Sequence, residues 1–163
     1  MSFTFDNTPP NSDITAPTRV SHPQRANQFG VFLNQLTSIT GTALDPNLLP
    51  SGAKAGEVTL RDTSGAGDKY WDGSSWNPFS AANSWLPTTW EGVCGVGKFC
   101  LSANLPPTSG AQALQTGRVY ELKARGLDNA SNTQANLAQG TTFTFDLDPA
   151  LVKVNQPVND IDI

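Results

Sequence analysis

Apolar residues in this chain recur at every second position in short runs, and the runs end at Asp-Pro, Asp-Gly or Gly-rich stops. A strand alternates its side chains between two faces with period two, so this spacing specifies strands and turns and leaves little room for helices. Ser38 to Asp45 alternates and stops at Asp45-Pro46, and Glu57 to Asp62 alternates into a Gly-rich turn from Ser64 to Gly67. Lys69-Tyr70-Trp71 meets Asp72-Gly73, a hairpin signal, and Ser74-Ser75-Trp76 leads back. Lys98 to Leu101 is a further short strand. Within Arg118 to Arg125, one face carries Arg118, Tyr120, Leu122 and Ala124 and is expected to be the core side; Val119, Glu121, Lys123 and Arg125 share the other. The expectation is an all-β sandwich of seven to eight antiparallel strands with long inserted loops, Ser102 to Gln115 among them.

Composition narrows the function. The chain holds 14 Gly and 12 Pro, and its charged fraction of 15% lies below the ~25% usual for soluble proteins. Net charge is −4 and no basic cluster is present, which argues against nucleic acid, whose affinity comes chiefly from phosphate neutralisation. No apolar run approaches the ~18 residues of a membrane span. Met1 to Asp6 has neither the basic start nor the apolar core of a signal peptide. That leaves a cytosolic protein or a piece of a longer chain, and an internal repeat favours the piece.

The repeat is Ser2-Phe3-Thr4-Phe5-Asp6-Asn7-Thr8-Pro9, echoed 140 residues later by Thr142-Phe143-Thr144-Phe145-Asp146-Leu147-Asp148-Pro149. Such a spacing predicts that the chain opens on the closing strand of one module and ends on the closing strand of the next. The expected boundaries are 1–11 for the preceding module's end strand or linker, 12–148 for the sandwich, and 149–163 for a linker or tail. Thr8 to Gln28, rich in Pro, Asn and Ser, is expected to be linker plus a loosely held first strand.

Tyr120-Glu121-Leu122-Lys123-Ala124-Arg125-Gly126-Leu127-Asp128-Asn129-Ala130-Ser131-Asn132-Thr133 resembles a block of bacterial Ig-like repeat modules found in large surface or secreted proteins. Phe3 to Pro10, Ile39 to Asp45, Phe143 to Pro149 and the Lys69 to Trp76 hairpin fit the same pattern in order. Ser131 stands where those modules carry Gly, and the Cys94 to Cys100 block is foreign to the pattern. The resemblance implies an Ig-like sandwich in a tandem array, at the cell surface or outside the cell. It further implies a non-catalytic spacer, stalk or adhesion role, with neighbouring copies, a glycan or a host or cell surface as partners. Fibre formation by strand exchange through Ser2 to Asp6 is a variant.

Four groups of residues are candidates for chemistry. Asp6, Asp45, Asp128, Asn129 and Asp146 sit at expected strand ends, where they either cap turns or converge as hard oxygen ligands for Ca²⁺; the resemblance favours calcium at module junctions, and no other cofactor is expected. Cys94 and Cys100 either close a small Gly-rich hairpin by a disulfide or remain free thiols. Trp71, Trp76, Trp85 and Trp90 either pack in the core or form a stacking platform, which would make the chain a carbohydrate-binding module. Tyr120 is the candidate for a tyrosine corner. Catalysis lacks a basis, since the single His22 lies in the Pro-rich opening stretch.

Overall fold

The computed structural model describes residues 6–17, 31–46, 52–65, 68–78, 84–135, 137 and 140–148. His22, the Ser2 to Phe5 part of the repeat and the 149–163 tail lie outside the described residues. The chain is all-β, and among the described residues the one helical element is a single 3-10 turn, Gly92–Cys94. No helix there is long and apolar enough to cross a membrane.

Two sheets share one core. The first has four strands in the order β1 (Asn11–Ala16), β3 (Ile39–Leu44), β9 (Lys98–Leu101) and β8 (Thr89–Trp90). The second runs β2 (Val31–Leu33), β11 (Thr141–Phe145), β10 (Val119–Asp128), β4 (Ala53–Asp62), β5 (Lys69–Trp71), β6 (Trp76–Pro78), with β7 (Leu86–Pro87) also on β4. β10 and β4 pair antiparallel along nearly their whole length, from Tyr120 opposite Asp62 to Asp128 opposite Ala53. They form the spine of the larger sheet.

Two features differ from the sequence expectation. The described residues form eleven strands, because the chain steps between sheets in pieces of two or three residues, such as β7 and β8, too short to show alternation. The sheets are also not wholly antiparallel: β2 runs parallel to β11, with Val31 opposite Phe143. Parallel pairing needs a long crossover, and here nearly the whole domain lies between the two strands.

The core follows the period-two pattern. Along β10 the residues Tyr120, Leu122, Ala124, Gly126 and Asp128 are all buried, and the intervening ones are not. Ile39 and Phe99 from the smaller sheet meet Val58, Leu60, Leu122, Phe143 and Phe145 from the larger. Phe99 is fully buried, and its ring occupies the space where Gly41 and Gly56 lack side chains: a Cβ on either glycine would lie 2.1 Å or 2.3 Å from a ring carbon. One phenylalanine thus fills the gap between facing strands β3 and β4.

The expected hairpin forms at Asp72 to Ser75, between β5 and β6. Asp72 accepts the N–H groups of Ser75 and Ser74 at 2.7 and 2.8 Å. These bonds, Ser75 first, hold its carboxyl well below the usual range.

Candidate functional site

β3 ends at Leu44 and β10 ends at Asp128, both at the pole where β4 begins. Pairing of Asn11 with Leu44 carries the segment preceding β1 past the end of β3 to that same pole. Asp6, Asp45 and Asp128 therefore converge, each offering a carboxylate oxygen within 4.8 Å of the other two. Asp128 is fully buried and Asp45 nearly so.

Amides hold the carboxylates in place. Asn132 donates its N–H to Asp128 Oδ1 at 2.7 Å, and its Nδ2 to Asp128 Oδ2 at 2.8 Å. The same Nδ2 reaches the main-chain oxygen of Asp6 at 3.1 Å. Gly52 N–H donates to Asp45 Oδ2 at 3.1 Å, and Thr8 N–H to Asp6 Oδ1 at 3.0 Å. Asp128 forms no ion pair among the described residues. Ionised carboxylates at this separation repel one another, most strongly where burial removes water. A hard cation would cancel that repulsion. An all-oxygen donor set suits Ca²⁺, which takes carboxylate and carbonyl oxygens in flexible numbers, and lacks the nitrogen and sulfur ligands typical of structural zinc.

The two remaining candidates for this site are placed differently. Asn129 stands beside the cluster, and both its N–H and its Nδ2 donate to Gly52 O, at 3.0 and 3.1 Å, so its amide locks the loop. Asp146 lies at the opposite pole. Antiparallel pairing sets Val119 against Thr144, so β11 ends where β10 begins, roughly 30 Å along the strand from Asp128.

Two further details complete the cluster pole. Ser131 adopts φ +72°, the left-handed position where the resembling modules carry Gly. Gln134 is buried, and its Oε1 accepts from Ser12 N, Ser12 Oγ and Gly126 N, which ties β1 to β10 across the two sheets. Nothing in the sequence pattern marks a single Gln after a turn as a cross-sheet bridge.

Cys94 and Cys100 are joined by a disulfide, with Cα atoms 5.6 Å apart. It closes the β8–β9 loop beside the cluster pole, where Ala43 N–H donates to Gly97 O.

The tryptophans do not form one platform. Trp71 is buried and its Nε1 donates to Asn104 O at 2.6 Å. Trp76 donates to Gln112 O at 3.0 Å and packs 5.4 Å from both Trp71 and Tyr120. The long Ser102 to Gln115 loop thus closes over this pair. Trp90 packs against the core from β8. Trp85 sits on the outer face of the larger sheet, with the Arg125 guanidinium 4.3 Å from its ring centroid. A cleft beside Trp76 and Tyr120 measures about 140 Å³, below the ~300 Å³ where small-molecule pockets begin.

Compared with known proteins, the chain matches no family model, no curated protein and no solved structure.

Proposed function

We propose that this chain is a non-catalytic, extracellular Ig-like module, a spacer, stalk or adhesion repeat of a larger bacterial surface or secreted protein, stiffened by Ca²⁺ at one pole. The observation that carries the reading is the convergence of Asp6, from the segment preceding the sandwich, with Asp45 and Asp128 from the sandwich itself. An ion held there would fix the entering chain to the domain and set the angle between neighbours.

Strand order supports the Ig-like part. β1-β3-β9-β8 follows the A-B-E-D sheet of Ig domains, and β11-β10-β4-β5-β6 follows G-F-C-C′-C″. Near the start of β10, Tyr120 Oη accepts the N–H of Gln115, five residues upstream, at 2.9 Å, as in the tyrosine corner of Ig strand F. The disulfide supports an oxidising, exported setting. Fibre assembly through Ser2 to Asp6 remains a variant, most of that segment lying outside the described residues.

Thermal melting with and without Ca²⁺ tests the reading. A ligand that binds only the native state stabilises it by about 2.7 kcal/mol at a hundredfold excess over Kd, so millimolar Ca²⁺ should raise the melting temperature by several degrees. Asp45→Asn should remove the increment. No increment in the wild type would refute the ion. A carbohydrate-binding reading keeps support from Trp85 and Trp90, both partly exposed; glycan-array binding lost on Trp85→Ala would favour it.

A further inference from the structure

The cleft beside Trp76 and Tyr120 lies where β4 ends, β5 and β10 begin, and the Ser102 to Gln115 loop crosses them. Its acceptors are engaged already. Asp62 is buried, with Oδ1 taking the N–H of Ser64 at 3.0 Å and Oδ2 taking Arg118 Nη1. Gln112 Oε1 accepts the N–H of Trp76 at 3.0 Å, and Tyr120 Oη accepts that of Gln115 at 2.9 Å.

What is left over donates. Lys69 Nζ forms no ion pair or hydrogen bond among the described residues. Arg118 gives Asp62 one nitrogen and keeps the rest of its guanidinium, and the Gln112 amide nitrogen and the Tyr120 O–H meet no acceptor among the described residues. Arg and Lys side chains carry donors only, and an ionised carboxylate only accepts. Two cations against one carboxylate also leave the cleft positive within a chain of net charge −4. The set matches a carboxylate, which the planar fork of an arginine suits geometrically.

At about 140 Å³ the cleft admits one residue-sized unit of a ligand. An acidic peptide would dock through a main-chain ladder on the sheet edge. Here β6 is that edge, and its Trp76 N–H is held by Gln112. A sugar needs no ladder, and its hydroxyls can meet the side-chain amide of Gln115, which both donates and accepts.

We infer that this cleft binds the carboxylate of a single acidic sugar unit, a hexuronate, with Arg118 and Lys69 as its cationic partners. The inference goes beyond the ion reading and is independent of it, since Asp62 and Asp128 mark opposite ends of the β4–β10 pair.

Titration of the ¹⁵N-labelled chain with D-glucuronate, followed at the Trp76 indole N–H and the Gln112 side-chain amide, tests it. Saturable shifts with Kd on the order of 1 mM are expected, and D-glucose and acetate, each lacking one half of the ligand, should bind about tenfold more weakly or worse. Lys69→Gln, at an exposed position, should weaken glucuronate about fivefold, whereas Lys54→Gln, the same charge change at the far end of β4, should leave it within about twofold. Unmoved signals at about 50 mM glucuronate overturn the inference, as does an equal response to glucose or an equal loss in the two lysine variants. N-acetyl-aspartate amide binding as tightly as glucuronate overturns the sugar in favour of a peptide carboxylate.

Discussion

At the Asp45 pole the contacts that order the chain run between carboxylates, amides and main-chain carbonyls, whereas at the Tyr120 pole they run between rings. Trp71, Trp76, Tyr120 and Phe143 follow one another at centroid spacings of 5.3 to 5.4 Å, under the Ser102 to Gln115 loop. Ring burial stabilises whether or not an ion is bound, because it depends on apolar area removed from water. Clustered carboxylates stabilise only when something offsets their mutual repulsion. The same sandwich therefore has one pole ordered by packed rings and one ordered by amides around three carboxylates, where the proposed ion would act.

The largest expected effect lies at the aromatic pole. Trp71→Ala should cost about 3–5 kcal/mol, as for buried aromatics generally, and equally with Ca²⁺ or chelator; a cost that depended on Ca²⁺ would break the contrast. Next comes Asp128→Asn, read by melting. In chelator it should cost about 1–3 kcal/mol, because one of the two oxygens that accept from Asn132 becomes an N–H donor, and in Ca²⁺ it should lose a further increment of about 2–3 kcal/mol. A smaller loss follows for Tyr120→Phe, about 1 kcal/mol from the bond to Gln115, unaffected by Ca²⁺.

Tyr120 also gives a pH signature. Burial raises its phenol above the ordinary value. The folded state then holds the proton more tightly than the unfolded state does, so this stability is complete below about pH 10 and is lost as pH rises through the folded pKa. Tyr120→Phe should flatten the alkaline limb of a stability–pH curve measured by urea unfolding. The smallest effect is expected at Ser131→Gly, which should gain up to about 1 kcal/mol by relieving a left-handed non-glycine residue.

Legibility tracked strand length and locality. β3, β9, β10, β11, the outer half of β4 and the β5–β6 hairpin were readable because alternation and turn chemistry are local signals. β2, β7 and β8 were not, since two or three residues carry no period and their pairing is decided by distant partners. At the site, Asp6, Asp45 and Asp128 were visible as acidic residues at strand ends, but so was Asp146, and only the antiparallel pairing of β10 with β11 separates them. For Trp71 and Trp76 the sequence favours packing over a platform, but the loop that covers them is set by contacts more than thirty residues away and leaves no local signal. Gln134 left no trace in the pattern, because its role depends on strands that approach it from two sheets.

The most direct measurement is a crystal structure grown in Ca²⁺ and inspected at the Asp45 pole. One ion is expected within about 2.3–2.6 Å of oxygens from Asp6, Asp45 and Asp128 together. A pole with the three carboxylates in place and no ion between them at saturating Ca²⁺ would contradict it.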